Sequence, residues 1–264
     1  MCYDIKTSLE KQLRRAILDG NLAQFEEINE KLSIFSPDEI ELNHVSGFSH
    51  PQMIIYTSEA PFAPTLATWG LVPSWVRDEQ QKNAIWNKTL NARGEKIWEK
   101  PSFRSSAKNK RCIIYIEGFY EHRHLNGKTF PYYIYHKEKD LLPVAGLYSK
   151  WFNPDAGHDI HTFSIVTTKA NELMTTIHNN PKLKEPRMPL LLIEETQEEW
   201  LRMVEEPADK KLIEELIKPY PDHELNGYTV SRIRGKDALG NVEEATNEVI
   251  YPEIIKEDNE LTLF

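Results

Sequence analysis

The chain reads RCIIYIEGFYEHRHLNGKTFPYYIYH from residue 111 to residue 136, and this run predicts its architecture. Three segments of it, 111–116, 119–124 and 130–136, are rich in β-branched and aromatic residues and end at turn residues, which predicts three strands. An Asn-Gly pair at 126–127 separates the last two segments, and Asn-Gly is the preferred two-residue turn of a β-hairpin. We therefore expect neighbouring antiparallel strands here.

Similar short runs extend on both sides of this region. Five further strands are predicted at MIIYTS (53–58), LATWGL (66–71), LPVAGLYS (142–149), HTFSIVTT (161–168) and MPLLLI (188–193). Helices are predicted from the spacing of apolar residues at 6–33, in two pieces broken at Asp19-Gly20, and at 91–100, 195–204 and 208–217. These elements predict one α+β domain over residues 1–240, with a helical insertion at 6–33, followed by an acidic tail at 241–264.

Composition is that of an ordinary globular protein. The 264 residues can bury a full core, 40% of them are apolar, and no run approaches the roughly 20 apolar residues of a membrane span. The N-terminal sequence lacks the apolar core of a secretory signal. The two cysteines, Cys2 and Cys112, have no CxxC spacing, which disfavours a disulfide framework and a cysteine-rich zinc site. We therefore expect a cytoplasmic protein with no membrane partner.

Charge is distributed unevenly along the sequence. The net charge of −9 argues against indiscriminate binding to nucleic acid. Residues 76–111 nevertheless contain ten basic and four acidic side chains, whereas acidic residues dominate from Glu194 onward. The basic segment is either a confined anion-binding face or an ordinary solvated surface, and composition leaves both interpretations open.

Cys2 directly follows the initiator Met1. Methionine is removed when the next residue is small, and removal here would leave an α-amine and a thiol on the same residue. Such a 1,2-aminothiol condenses with an aldehyde to an imine, and the thiol then closes a five-membered thiazolidine. An α-amine with a pKa near ~8 and a thiol with a pKa near ~8.5 both supply nucleophile at neutral pH. The alternative is that a cysteine stands at position 2 by accident.

Aromatic and polar side chains on turns add candidate binding residues. Trp69 and Trp75 flank a Gly/Pro turn, and such tryptophans either stack on bases of single-stranded nucleic acid or anchor the loop to the core. Asn91 and Arg93 lie in the first turn of the helix predicted at 91–100. There Asn91 would cap the helix, and Arg93 would either bind a phosphate or pair with Glu95.

Glu121 and His178 are candidate proton-transfer residues. Glu121 lies within an aromatic strand on the same face as Phe119, and a carboxyl group on an apolar face is costly unless it is paired. Glu121 is therefore either a proton donor and acceptor or half of a structural ion pair. His178 is followed, after a loop, by the segment beginning at Arg187, and it is either a catalytic or a structural histidine. The spacing of the histidines does not indicate a metal site.

Nine segments, taken together and in order, resemble the SOS response-associated peptidase family. They are Cys2, WGLVPSW (69–75), NARGE (91–95), EKPSFR (99–104), EGFYEH (117–122), AGLYSKW (145–151), FSIVTTKAN (163–171), His178 with RMP (187–189), and VSR (230–232). The resemblance spans residue 2 to about residue 232. It implies a fold in which mainly antiparallel strands form a twisted, barrel-like sheet core with flanking helices. It also implies a DNA-damage protein that attaches covalently to abasic sites in single-stranded DNA.

The resemblance assigns a role to each matching residue. Cys2 would form a thiazolidine with C1′ of the sugar once Met1 is removed. Glu121 matches the family's catalytic acid, and His178 matches the histidine that assists opening of the sugar ring and reversal of the crosslink. Asn91 would hold the aminothiol or the substrate in line. The expected DNA contacts are Arg93, Trp75, Trp69 and Arg187.

The chain departs from the family pattern at several places, among them Glu117 and His122, where the family usually has Asp and Trp, and helices at 6–33 that are longer than usual. The family usually begins Met-Cys-Gly-Arg, whereas this chain has Tyr3 and Asp4. An Asp in place of a phosphate-contacting Arg would weaken DNA binding or transfer the phosphate contact to another basic residue. Residues 179–186 separate His178 from the RMP segment, where the family has one intervening residue, which puts the position of His178 at issue. Residues 46–49, Ser-Gly-Phe-Ser, stand roughly where the family has an Asn-Val-Ala-Pro turn.

Two further functions remain open at this point. The same Cys2, Glu121 and His178 would suit a thiol or N-terminal-nucleophile peptidase that processes its own N-terminus, as the family is also described. A non-catalytic single-strand binder would follow if the departures had disabled the chemistry. No metal or organic cofactor is implied, the expected partner is single-stranded DNA containing abasic sites, and a monomer is expected.

Overall fold

The computed structural model describes residues 2–18, 41–155 and 157–261. Its strands are β1 (Asp4–Ser8), β2 (Glu41–Ser46), β3 (Gln52–Thr57), β4 (Pro64–Trp69), β5 (Asn91–Arg93), β6 (Arg111–Ile116), β7 (Gly118–Leu125), β8 (Lys128–His136), β9 (Leu142–Asn153), β10 (His158–Lys169), β11 (Arg187–Pro189) and β12 (Leu225–Thr229). Its α-helices are α1 (Leu9–Leu18), α2 (Glu79–Ile85), α3 (Arg104–Asn109), α4 (Glu172–Ile177), α5 (Glu194–Leu201), α6 (Pro207–Leu216) and α7 (Pro252–Leu261).

Two sheets form the frame of the molecule. The first has five strands in the order β12-β8-β7-β1-β2, and its neighbouring strands all pair antiparallel. The second runs β11-β10-β4-β3-β6-β9, and β9 also pairs with β10, which closes strands β10, β4, β3, β6 and β9 into a barrel. The short strand β5 joins the barrel by pairing parallel to β10. The predicted α+β class with a barrel-like, mainly antiparallel core is confirmed.

The largest buried cluster of apolar side chains lies between the two sheets. It combines Phe119 and Ile134 of the first sheet with Ile55, Ile114 and Ile165 of the barrel, and all five are 0–1% exposed. Burying such side chains stabilises the fold by about 1.5–3 kcal/mol each. Strand β6 of the barrel is followed after one residue by β7 of the five-stranded sheet, so the chain passes from one sheet to the other at the edge of this cluster.

The predicted hairpin is confirmed at β7–β8. Leu125 pairs with Lys128 across a two-residue loop, and Asn126 and Gly127 both have positive φ, +50° and +75°. This is the left-handed pair of a type I′ turn, whose twist matches that of the flanking strands. The helices predicted at 195–204 and 208–217 are also confirmed as α5 and α6, with shifts of one to three residues at their ends.

Two helix predictions need correction. Residues 6–8 belong to β1, and α1 begins at Leu9, because β1 pairs with both β2 and β7. Residues 19–33 of the same prediction lie outside the described residues. Residues 91–100 are not an α-helix: they form β5, which pairs with β10, and then a short 3-10 turn, Gly94–Lys96. In both cases pairing to a distant strand overrides local helix preference.

The acidic C-terminal segment contacts the sheet through several groups. Ile254 of α7 is 5% exposed, Tyr251 packs edge-on against Phe130 at 5.1 Å, and Lys128 pairs with Glu253 at 2.7 Å. The residue at which the main domain ends stays a prediction. Among the described helices, none is long and apolar enough to cross a membrane.

Candidate active site

Cys2 lies at the entry to β1, the strand flanked by β2 and β7. Asp4 pairs with Tyr120 and Ile5 with Phe119, so the start of the chain runs alongside the part of β7 that carries Glu121. The Cys2 side chain is 0% exposed. Its backbone carbonyl accepts a 2.8 Å hydrogen bond from Nδ2 of Asn91. Cys2 is thereby fixed to the barrel.

Asn91 is held by the parallel pairing of β5 with β10, in which it lies opposite Ile165. The preceding residue is fixed as well, because the indole N–H of Trp69 donates to the carbonyl of Leu90 at 2.9 Å. Asn91 is thus a positioned side chain rather than the helix cap predicted from sequence. Its Oδ1 is buried and accepts no hydrogen bond from the described residues, which leaves an acceptor beside Cys2.

Glu121 and His178 form a buried pair. Nδ1 of His178 lies 3.7 Å from Oε1 of Glu121, and both side chains are less than 10% exposed. The same Nδ1 donates to the carbonyl of Arg187 at 2.7 Å, and because a carbonyl only accepts, Nδ1 carries the proton. Nε2 is therefore the nitrogen that gains or loses a proton.

Burial sets the charge state of both reactive groups. Burial lowers the pKa of His178, and the negative charge of Glu121 offsets only part of this effect. Burial raises the pKa of the Cys2 thiol, and the charge of Glu121 raises it further. The imidazole is therefore neutral and the thiol protonated near pH 7. The site thus holds a neutral base and a thiol that needs a proton acceptor before it can react.

The insertion at 179–186 leaves the pair in place. Asn179 accepts from the backbone N–H of His124 at 2.6 Å and donates to its carbonyl at 3.0 Å, which fastens the insertion to β7. His178 follows α4, in which the side chain of Asn171 caps the N–H of Met174. The carbonyl of Arg187 still reaches His178 from the far side of the insertion.

Asp4, the departure next to Cys2, is paired with His44 and Arg234. Its carboxylate is 2% exposed, contacts Nε2 of His44 at 3.0 Å and accepts from the Arg234 guanidinium. Burial alone would raise the pKa of Asp4, but the hydrogen bonds from His44 and Arg234 and the charge of Arg234 lower it below its usual value. Asp4 is therefore ionised and anchors Arg234 beside the site.

The four residues expected to contact DNA occupy different environments. Arg93 is exposed on β5, and Trp75 is 50% exposed. Trp69 is 0% exposed and stacks on Phe163 at 6.0 Å, so it forms the wall behind the site. Arg187 is 2% exposed and is paired with Glu95 at 2.7 Å. The burial of Trp69 and Arg187 does not support the DNA contacts expected of them.

A cavity of about 600 Å³ opens over Glu121 and His178. Its other walls include side chains that sequence reasoning did not select, namely Tyr3, His122, His124, Arg232 and Arg234. The basic run from Arg232 to Lys236 could have indicated a positively charged wall of the site, but it lies more than 100 residues from Glu121 in the sequence. Among the described residues, no group of three or more His, Cys, Asp or Glu side chains is arranged to hold a metal ion.

The fold and site define a domain in which a buried cysteine at position 2, an amide that holds its carbonyl and a carboxylate–imidazole pair lie beside a barrel. Residues 14–236 match the family described as SOS response associated peptidase (SRAP). The chain belongs to this family.

Several curated relatives are similar to the chain. It is 41% identical over 166 residues to the abasic site processing protein YoqW of Bacillus subtilis, covering 62% of this chain and 68% of that relative. It is 32% identical over 171 residues to the abasic site processing protein HMCES of Gallus gallus, covering 57% of this chain and 48% of that relative.

Solved structures share the fold. A protein from Bacteroides thetaiotaomicron superposes with a TM-score of 0.77 at 31% identity, covering 94% of this chain and all of that one. A protein from Bordetella bronchiseptica superposes with a TM-score of 0.66 at 22% identity, covering 87% of this chain and 99% of that one, and this likeness concerns the fold alone.

Proposed function

We propose that this protein captures abasic sites in single-stranded DNA covalently through Cys2, as part of a response to DNA damage, once Met1 has been removed. The observation that carries the proposal is that Asn91 holds the Cys2 carbonyl, while Glu121, which is paired with His178, acts electrostatically on the Cys2 thiol. The names of the relatives, abasic site processing proteins, support the choice of substrate.

The proposed chemistry consumes both groups of the aminothiol. The ring-opened abasic sugar presents an aldehyde at C1′. The Cys2 amine adds to C1′, and loss of water gives an imine. The Cys2 thiol then adds to the same carbon, forming the S–C1′ bond, while its proton passes to the nitrogen. The sum is aldehyde plus aminothiol to thiazolidine plus one water.

The surrounding side chains supply orientation and proton transfer. Asn91 holds the Cys2 carbonyl, which restricts rotation about the residue that must attack twice. Glu121 accepts and returns protons as the amine adds and water leaves. Nε2 of neutral His178 takes the proton of the C1′ hydroxyl when the closed sugar ring opens. These roles fit a buried site, because bulk water, which would compete with the side chains for proton transfer, is largely excluded from it.

The DNA strand is proposed to lie across the exposed cationic and aromatic side chains near the site. Arg93 is the phosphate contact and Trp75 the stacking contact on this surface. Binding of this kind releases counterions, so it weakens as salt concentration rises. The aldehyde provides selectivity, and an intact single strand would bind without forming a covalent product.

The thiol peptidase alternative fits the site less well. A peptidase nucleophile of this type is activated as a thiolate, whereas burial and the charge of Glu121 raise the pKa of the Cys2 thiol. Turnover of peptide substrates that is lost in Cys2→Ala would favour the peptidase. Removal of Met1 alone would not separate the two functions, because both require it.

The test is incubation with a labelled single-stranded oligonucleotide that carries one abasic site, followed by a denaturing gel. We expect a shifted band with the wild-type protein and none with Cys2→Ala. Cys112→Ala is the matched control, since Cys112 is also 0% exposed but lies within strand β6 of the barrel. An adduct of wild-type yield in Cys2→Ala would overturn the proposal.

A further inference from the structure

Phe48, Tyr3 and Arg234 form a cluster of rings and charge beside Cys2. The Phe48 and Tyr3 rings lie with centroids 4.9 Å apart at 35°, and Cζ of Arg234 lies 5.6 Å from the centre of the Phe48 ring. Phe48 is 47% exposed, and the Arg234 side chain is 45% exposed. An exposed aromatic ring with a cation over it is not explained by core packing.

The position of Phe48 is fixed by contacts of its turn with Tyr3 and Trp69. Phe48 lies in a 3-10 turn, Gly47–Ser49, and its own N–H is capped by the side chain of Ser46. The N–H of Gly47 donates to the carbonyl of Tyr3 at 2.7 Å. Gly47 is packed so closely on the Trp69 indole that a Cβ there would lie 3.0 Å from it. The turn therefore holds the Phe48 ring against Tyr3 and Arg234, which line the cavity over Glu121 and His178.

Arg234 is held in a comparable way from the other end of the chain. Its Nη2 donates to buried Asp4, which His44 orients from its other oxygen. A guanidinium has five N–H donors, so this bond leaves donors for a ligand. Arg234 and Tyr3 both line the cavity over Glu121 and His178. The charges of Arg234 and Arg93 both act to lower the pKa of Tyr3, although burial and Glu121 raise it on balance.

We propose that Phe48 and Arg234 form a nucleotide subsite next to the captured sugar, in which the Phe48 ring stacks on a base and the Arg234 guanidinium binds a phosphate of the same strand. This inference rests on the proposed function, because it assigns the neighbouring nucleotide of the same DNA strand. Position 4 carries the acidic Asp4 in this chain and cannot bind a phosphate. Arg234 would provide the positive charge for that contact instead.

The probe is a single-stranded oligonucleotide with a tetrahydrofuran analogue of the abasic site, which has no aldehyde and reports binding alone. Phe48→Ala should weaken binding about tenfold, the range found for loss of one base–aromatic stack. The matched control is Phe62→Ala, since Phe62 is 42% exposed and also has an arginine, Arg15, over its ring, but lies on another cavity. That variant should bind as the wild type does.

Arg234→Gln should weaken binding and reduce the slope of log affinity against log salt by about 0.7, the value for one phosphate contact on a single strand. Arg202→Gln removes the same charge from an exposed residue paired with Glu199, and it should leave the slope unchanged. The double variant Asp4→Asn with Arg234→Gln removes the carboxylate and the guanidinium together. It should bind as weakly as Arg234→Gln, because the phosphate contact is missing in both.

Wild-type affinity in the double variant would overturn the proposal, since Arg234 would then act only by neutralising Asp4. Equal effects of Phe48→Ala and Phe62→Ala would overturn it as well. Failure of the proposed function is distinguishable: it appears as loss of the Cys2-dependent adduct with an aldehyde-bearing strand, whereas the tetrahydrofuran strand measures the subsite in either case.

Discussion

Nδ2 of Asn91 donates a 2.8 Å hydrogen bond to the carbonyl of Cys2, a residue 89 positions away in the sequence. The bond joins the segment that leads into β1 to the barrel, because Asn91 belongs to β5 and β5 pairs with β10. The contact therefore fixes the Cys2 backbone relative to the barrel.

Replacing Asn91 tests this positioning. Asn91→Asp exchanges the donor for an acceptor that faces a carbonyl, and loss of one hydrogen bond costs about 1 kcal/mol, roughly fivefold in the rate of adduct formation. Binding to the tetrahydrofuran strand should stay near the wild-type value. The control is Asn226→Asp on β12, an exposed asparagine in the first sheet. An unchanged adduct rate in Asn91→Asp would remove Asn91 from the mechanism.

Glu121→Gln should have two separable effects. The adduct rate falls because proton transfer is lost, and the pKa of the Cys2 thiol falls because the negative charge of Glu121 no longer opposes the thiolate. The pKa is measured from the ultraviolet absorbance of the thiolate in a Cys112→Ala background, which leaves one thiol to titrate. A pKa that stays constant or rises would contradict the assigned electrostatic contact.

His178 should titrate below its ordinary value. Burial favours the neutral imidazole, so the pKa of His178 lies below the 6.5 of a solvated histidine, and the ring stays neutral as the pH falls through that value. NMR titration of the ring measures this directly. In Glu121→Gln the pKa should fall further, because the carboxylate that favours the imidazolium is gone. A pKa above 6.5 in the wild type would be incompatible with the buried, neutral base.

Arg187 should matter for stability. Its guanidinium is 2% exposed and donates to the Thr167 carbonyl, the Thr167 hydroxyl and Glu95. Arg187→Met should lower the free energy of unfolding by about 2 kcal/mol, because the buried Thr167 carbonyl and hydroxyl lose the hydrogen bonds from Arg187, whereas the Glu95 side chain is 36% exposed and stays solvated. Arg202→Gln, at an exposed pair, should change it by less than about 1 kcal/mol. Chemical denaturation of both variants measures the difference. Equal values would mean that the Arg187 contacts do not hold the fold.

The sequence was informative where the signal was local. The Asn-Gly pair at 126–127 predicted the β7–β8 hairpin because the required positive φ angles restrict the residues that fit. Strand composition predicted most of the barrel for a similar reason. The helix predicted at 91–100 was wrong because pairing with β10 is a contact across more than 70 residues, which helix periodicity does not register.

The same limit applies to the site. Residue types pointed to Cys2, Asn91 and Glu121, since aminothiol, amide and carboxylate chemistry are properties of single side chains. The pairing of Asp4 with Arg234 spans 230 residues and depends on how β1 enters the sheet. The burial of Trp69 could not be predicted from the sequence either, because a tryptophan on a Gly/Pro turn is compatible with both a base-stacking surface and a core position.

The central claim is that Cys2 is linked to C1′ through nitrogen and sulfur together. The most direct measurement is mass spectrometry of the tryptic peptide from Cys2 to Lys6, after reaction with an abasic strand, nuclease digestion and thiol alkylation. The account predicts a peptide without Met1 that carries the sugar remnant with loss of one water and takes up no alkylating reagent. A sugar remnant on another peptide, or on a Cys2 whose thiol is still alkylated, would contradict it.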